Sequence, residues 1–241
     1  MMRVTHSSIL AKLVITSNMS GTLFIVATPI GNLEDVTHRA ARVLSEVDAV
    51  ACEDTRVTSK LLAHLKIRKP LISLHEHSQP RIIENVLRRL RSGESIAYAS
   101  DAGTPGVNDP GGKLVEACFS IGLKVEPIPG PSALTAAISI CGFPMDEFTY
   151  VGFIPHKKGR VTLFREMSER KTPTIFFEST HRILKTLEGL SSTIDHTRMI
   201  FIGRELTKMH ETLYRGTIDE VQKQLQATST KGEFVVIVGP R

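Results

Sequence analysis

From Thr22 onward, short apolar runs rich in β-branched residues alternate with segments in which apolar residues recur every three or four positions. The runs at 22–27, 49–52, 71–74, 95–99 and 123–128 read as strands. Between the first two, Thr37 stands where a helix N-cap belongs, and Ala40, Ala41, Val43, Leu44 and Val47 form one apolar stripe. Between the third and fourth, Ile82, Ile83, Val86, Leu87 and Leu90 form another, with Arg88, Arg89 and Arg91 on the opposite, solvated face. This alternation predicts a parallel sheet covered on both faces by helices.

The pattern changes at Cys141-Gly142-Phe143-Pro144, where Gly142 can end a helix and Pro144 cannot continue one. A domain boundary is expected there, with an N-terminal α/β domain over 21–143 and a C-terminal α/β domain over 144–241. In the second, strands at 148–154, 174–177, 199–203 and 234–238, with helices near 162–169, 182–190 and 218–225, predict a mixed sheet. Residues 1–20 read as a flexible extension. Their apolar stretch is broken by Lys12 and lacks a cleavage signal, and Met19 offers an alternative start.

Composition narrows the class of protein. Lys, Arg or Glu interrupts every apolar run well short of the ~20 residues needed to cross a bilayer, so no membrane span is expected. The net charge of +5 permits a polyanionic partner, and the excess lies in the first 20 residues and the second half of the chain. Cys52, Cys118 and Cys141 are odd in number, widely spaced and set among apolar residues. They suggest neither a disulfide framework nor a zinc cluster, and a cytoplasmic location fits them best.

Candidate chemistry gathers at predicted strand ends, where open α/β domains collect their ligands. The richest segment is 100–112, whose four glycines, two prolines and two aspartates make a rigid loop that lets backbone approach a ligand. Asp109 there also suits an N-cap. The first strand leads into Pro29, Gly31 and Asn32, without the spacing of a dinucleotide loop or a P-loop. The second ends in Cys52-Glu53-Asp54-Thr55-Arg56, where Asp54 or Thr55 can cap a helix or an acid beside Arg can orient a hydroxyl. The third ends in His75-Glu76-His77, which falls short of a metal-ligand set and reads as polar cleft lining. After the fifth, Pro131 suits a first helical turn whose free N–H groups can receive an anion. In the second half, 178–182, 204–208 and 231–234 are charged strand ends, either surface ion pairs or a polar wall facing the first domain. A basic stretch at 156–160, with Arg165, Arg170 and Lys171, offers phosphate contacts or a solvated face.

Taken together, Ile25-Val26-Ala27-Thr28-Pro29-Ile30-Gly31-Asn32-Leu33, Ala51-Cys52-Glu53-Asp54-Thr55-Arg56, the 100–111 loop, Pro129-Gly130-Pro131-Ser132-Ala133-Leu134, Arg204-Glu205-Leu206-Thr207-Lys208 and Lys231-Gly232-Glu233-Phe234 carry a resemblance. The chain resembles the small-subunit ribosomal RNA cytidine 2′-O-methyltransferase branch of the tetrapyrrole methylase superfamily, over about 21–238. The resemblance implies a two-domain α/β homodimer that binds S-adenosylmethionine between its domains and methylates a ribose in the decoding region of 16S ribosomal RNA. Carried over by motif, the cofactor would meet Pro29, Gly31, Asn32, Asp101, Ala102, Gly103, Thr104, Pro105, Asp109, Pro110, Gly130, Pro131, Ser132, Ala133 and Leu134. Lys231, Gly232 and Glu233 would face it from the second domain. Tetrapyrrole-modifying members carry Gly-Gly-Asp-Pro where this chain has Ala102-Gly103-Thr104-Pro105, which favours the RNA branch.

A methyl sulfonium is already a strong electrophile, so alignment of the ribose oxygen is expected to supply most of the rate. Glu53 and Asp54 are the leading proton acceptors, followed by His75 and Glu76. Lys157, Lys158, Arg160, Arg165, Arg182, Arg204 and Lys208 are the expected RNA contacts on the small ribosomal subunit, with neither DNA nor a membrane as partner. The rival readings are a tetrapyrrole C-methyltransferase and a non-catalytic RNA-binding module of ribosome assembly.

Overall fold

A strand buried on both faces needs a helix layer on each side, and β2 (Ala49–Cys52) and β4 (Ile96–Ala99) are buried at every position. Both lie inside a five-stranded sheet of order β3-β2-β4-β1-β5, completed by β1 (Thr22–Val26), β3 (Leu71–Ser73) and β5 (Lys124–Ile128). All its neighbours pair in parallel. The computed structural model describes residues 20–75 and 80–241.

Helices α1 (His38–Glu46) and α2 (Thr55–His64) cover one face through Val43, Leu44, Leu61 and Leu62. Helices α3 (Pro80–Arg91) and α4 (Gly111–Phe119) cover the other through Val86, Leu90, Leu114 and Cys118. The cap predicted at Thr37 is present, its hydroxyl accepting the Ala40 N–H at 3.0 Å. Strands β1 and β4 are neighbours, yet the chain leaves them toward opposite faces, β1 into α1 and β4 into α4. Their diverging loops leave a crevice at the carboxyl edge of the sheet.

Helix α5 (Ala133–Cys141) follows β5 but packs against the second sheet, where Ala137 and Cys141 meet Ile175, Phe201, Val235 and Ile237. It starts later than its proline suggests. Extended Ser132 is the N-cap, and Pro131 lies ahead of the helix, its carbonyl accepting a hydrogen bond from Thr104. At its other end Gly142 takes the left-handed conformation at φ 68°.

The second sheet has order β6-β7-β10-β8-β9, from β6 (Thr149–Phe153), β7 (Thr174–Ser179), β8 (Met199–Arg204), β9 (Thr212–Thr217) and β10 (Glu233–Val238). Strands β6 and β7 run parallel and the remaining neighbours antiparallel, which makes the sheet mixed as expected. Helices α6 (Arg160–Glu169), α7 (Ile183–Ser191) and α8 (Ile218–Ala227) cover the face away from α5. Strand β9 has no counterpart in the sequence pattern. Its inward residues are Tyr214 and Gly216 and its Leu213 is exposed, so no aliphatic alternation announces it. Among the described residues, no helix is long and apolar enough to cross a membrane.

One buried cation ties this domain together. Arg198 is 5% exposed and donates to four carbonyls, those of Gly239 (2.8 Å), Met167 (2.7 Å), Arg170 (3.0 Å) and Ser168 (3.3 Å). It thereby fastens the end of α6 and the exit of β10 to the start of β8. Arg198→Met strands these acceptors and is expected to cost about 3 kcal/mol. A lower urea midpoint at unchanged m-value reads this out, and an unchanged midpoint would show that the carbonyls find other donors.

Candidate active site

The crevice between β1 and β4 is closed by a short antiparallel bridge beyond the parallel strands. Thr28 and Gly103 exchange two backbone hydrogen bonds of 3.0 Å. Two hydroxyls lock the same turn, Thr28 Oγ1 donating to the Ser100 carbonyl at 3.0 Å and Ser100 Oγ to the Gly103 carbonyl at 2.8 Å. Gly103 sits at φ +82°, and a Cβ there would come within 3.2 Å of Ile30. A side chain would be strained at that position.

Other loops converge on this turn. Asp101 accepts the Asp54 N–H at 3.0 Å, and Glu53 accepts the Asp101 N–H at 3.4 Å, which joins the ends of β2 and β4. Thr104 Oγ1 donates to the Pro131 carbonyl at 3.1 Å and brings in the loop before α5. The far half of the 100–112 loop is braced from within: Asp109 accepts the N–H of Gly106 (2.6 Å), the N–H of Gly111 (2.8 Å) and the hydroxyl of buried Tyr98 (3.1 Å). Burial, followed by the Asp109 charge, pushes the Tyr98 phenol far up. A neighbouring residue, Asn108, bonds Tyr150 on β6 in the second domain. Both Asp109 oxygens are thus engaged within the loop, and Pro110 is buried.

Two cavities meet at this junction. One, of about 250 Å³, lies between the sheets, with Ile30, Ala102 and Ala133 on one wall and Phe177, Leu206 and Phe234 on the other. The second, of about 500 Å³, opens over the ends of β1 and β4, lined by Thr28, Pro29, Gly31 and Asp101 together with Val57, Lys60 and Leu61 of α2. Ile30, Ala102, Lys208 and Glu233 belong to both. Lys208 donates to Glu205 (3.0 Å) and Glu233 (2.8 Å), while its stem lies on Gly31, where a Cβ would come within 2.3 Å of Lys208 Cγ. Burial pushes the Lys208 ammonium down, but the two carboxylates outweigh it and hold the group above its ordinary range. The same pairing, with the Glu233 N–H, overcomes burial at Glu205 and holds that carboxyl low.

The expected proton acceptors separate. Burial raises Glu53 above the usual glutamate range, against the lowering effect of the Asp101 N–H. Asp54 is held to about 2, first by the Arg56 guanidinium at 2.9 Å and then by the Arg56 N–H it caps. An acid so strongly paired is a poor base. His75 is exposed beyond β3, and Glu76, with His77, lies outside the described residues.

The expected RNA contacts separate as well. Lys157, Lys158 and Arg165 are exposed. Arg204 is 8% exposed and spends its donors on the carbonyls of Lys231 (2.6 Å) and His210 (2.9 Å) and the hydroxyls of Thr212 and Ser229. Arg182 pairs with buried Glu178 at 3.3 Å and also bonds the Ile154 carbonyl. Arg160 donates to Thr186 at 2.9 Å and lies over the Phe164 ring. These three are engaged within the second domain, Arg160 and Arg182 half-buried there, and Lys208 is paired with its two acids. Gly232, at φ +125°, packs on the Glu205 side chain, and its N–H donates to Thr180. Asn32 faces outward as the cap of a short 3₁₀ turn. Gly130, Pro131 and Ser132 line an outer groove beside the junction, and Leu134 packs into the core under α5. Residues of α2 that line the larger cavity are absent from the sequence-derived set, although Val57, Lys60 and Leu61 follow the three-and-four spacing of one helix face.

Comparison with known proteins agrees with this architecture. The family described as Tetrapyrrole (Corrin/Porphyrin) Methylases matches residues 22–222. Ribosomal RNA small subunit methyltransferase I of Xylella fastidiosa is 45% identical over 221 residues, covering 90% of this chain and 81% of that protein. The protein of the same name from Thermotoga maritima is 42% identical over 218 residues, covering 90% of this chain and 98% of its own. Among solved structures, uroporphyrin-III C-methyltransferase from Thermus thermophilus complexed with S-adenosylhomocysteine superposes with a TM-score of 0.62 at 20% identity, covering 91% of this chain and 97% of that one. The chain belongs to the tetrapyrrole methylase family.

Proposed function

We propose that this protein transfers a methyl group from S-adenosylmethionine to the 2′-oxygen of a cytidine ribose in the decoding region of small-subunit ribosomal RNA. The observation that carries the reading is the junction of two cavities at the β1–β4 crevice, in a chain that matches small-subunit ribosomal RNA methyltransferases over nine-tenths of its length. Free thiols at Cys52, Cys118 and Cys141, all buried, accord with a cytoplasmic enzyme. The reading includes a homodimer, on the strength of the family resemblance.

The residues fit the cofactor. Ile30, Ala102, Ala133 and Leu206 offer apolar walls, few polar groups converge on them, and the Ser132 side chain leaves the first N–H groups of α5 uncapped. The cofactor supplies a methyl carbon made electrophilic by the adjoining sulfonium. Asp101, with one oxygen committed to the Asp54 N–H, turns its carboxylate to the larger cavity and fixes a polar group there. Ala102, Gly103, Thr104 and Pro105 hold the turn that presents it, with Pro29 and Gly31 opposite. Lys208 and Glu233 close the cleft from the second domain. Glu53, whose carboxylate accepts the N–H of cavity-lining Asp101 at 3.4 Å, accepts the ribose proton, since a base whose pKa is raised is more effective than one held as low as Asp54. Lys157, Lys158 and Arg165 meet RNA phosphates from the exposed rim of the second domain.

Mapping ribose methylation on small-subunit particles, with and without the protein and S-adenosylmethionine, tests the whole reading. One new 2′-O-methyl cytidine is expected, whereas methyl transfer to a porphyrinoid in its place would assign the chain to tetrapyrrole chemistry. Asp101→Ala is expected to weaken S-adenosylhomocysteine binding about tenfold, roughly 1.4 kcal/mol in a calorimetric titration. An unchanged dissociation constant removes Asp101 from the pocket. A folded carboxyl titrating above its unfolded value stabilises the fold at low pH, and that contribution is lost as pH rises through the folded pKa. Glu53→Gln should therefore raise the thermal midpoint at neutral pH, leave it unchanged at strongly acid pH, and abolish the acid limb of the rate profile. A profile that keeps this limb in the variant excludes Glu53 as the base.

A further inference from the structure

We infer a second RNA-phosphate track, on the first domain, running from the catalytic cleft along α2 to the loop beyond it. This inference rests on the ribosomal RNA methyltransferase reading. Between Asp54 and Glu76 the sequence holds no acid and five strong cations, Arg56, Lys60, Lys66, Arg68 and Lys69. Lys60 lines the larger cleft cavity on one flank of α2, while Lys66, Arg68 and Lys69, in the loop beyond the helix, line an open groove of about 570 Å³ with Ser59, Leu62 and Ala63 of its other flank. Helix α2 has ten residues, about 15 Å of rise, and its exposed face, which carries Arg56, Ser59, Lys60 and Ala63, separates cleft from groove.

The loop is folded back on the helix, and of the five cations Arg56 is paired with Asp54. Lys66 adopts φ 59°, and the hydrogen bonds from Lys66 N–H to the Ala63 carbonyl (3.1 Å) and from Ile67 N–H to the Leu62 carbonyl (2.8 Å) fold the loop back on the helix end. Among the described residues, no carboxylate pairs with Lys60, Lys66, Arg68 or Lys69. The negative end of the α2 dipole accounts for a cation in its last turn, not for cations spread from the first turn to the loop beyond. Like charges at fixed positions repel one another in the free protein, and a polyanion relieves that repulsion while releasing its own counterions. A phosphodiester chain whose target ribose enters the cleft would run on over Lys60 and into the groove. RNA would then be held from both domains, by this track and by the Lys157, Lys158 and Arg165 rim.

The test is made on the full chain with small-subunit particles. Lys66→Gln, Arg68→Gln and Lys69→Gln are combined, and compared with Arg81→Gln, Arg88→Gln and Arg91→Gln on α3, which covers the opposite face of the sheet. With about 0.7 counterions released per single-strand phosphate contact, the groove variant should bind at least tenfold more weakly at low salt, and its plot of log affinity against log salt should flatten by about 2. Its S-adenosylhomocysteine affinity and melting temperature should match the parent, and the α3 variant should bind particles like the parent. Parental affinity and slope in the groove variant, or an equal loss in the α3 variant, overturns the track. A parent that binds the particles without methylating them overturns the enzymatic reading and leaves the comparison of variants intact.

Discussion

The site depends on one pairing, the bridge between Thr28 and Gly103 just past the ends of β1 and β4. Neighbouring parallel strands whose connections leave toward opposite faces must open a crevice, and without a tether the two loops would splay apart. Two backbone hydrogen bonds and the hydroxyls of Thr28 and Ser100 supply the tether. Because Gly103 takes a left-handed conformation, the chain reverses at the bridge and presents Asp101 and Ala102 to the cavities. The bonds from Asp54 to Asp101 and from Thr104 to Pro131 are made onto this frame, and they bring the ends of β2 and β5 to the same place.

The second domain is braced by buried cations that are satisfied inside the protein. Arg198 and Arg204 donate chiefly to backbone carbonyls, which fixes loops and strand ends without an acid for each guanidinium. Lys208 is held by two carboxylates of its own domain, and this fixes its stem over Gly31, where the domain contact is steric. A charge buried with its donors filled contributes rigidity to the cleft and nothing to the attraction of RNA.

That distinction reorganises the charge of the molecule. Several arginines that look available in the sequence are structural, whereas Lys157, Lys158 and Arg165 on the rim and Lys60, Lys66, Arg68 and Lys69 on α2 and its following loop meet no carboxylate among the described residues. A modest net charge of +5 thus becomes two local cationic surfaces on either side of one cleft. Attraction of a polyanion depends on such local fields more than on the total.

Much of the architecture was legible in the chain because it rests on local pattern. Thr37, the stripe from Ala40 to Val47, the run of buried residues in β2 and β4, and Gly142 at the end of α5 each follow from helix period, strand period or a positive φ. The loops that gather at the site were legible too, since glycine, proline and aspartate mark strand ends. Strand β9 was not, because an edge strand needs few inward apolar residues and Tyr214 and Gly216 give no alternation. Nor could sequence tell Glu53 from Asp54, Asp101 from Asp109, or Arg165 from Arg204. Residue type sets which charge a side chain can carry, and neighbours distant in the chain decide whether that charge is buried, paired or free, as the Arg56 guanidinium does for Asp54 and the Lys231 carbonyl for Arg204.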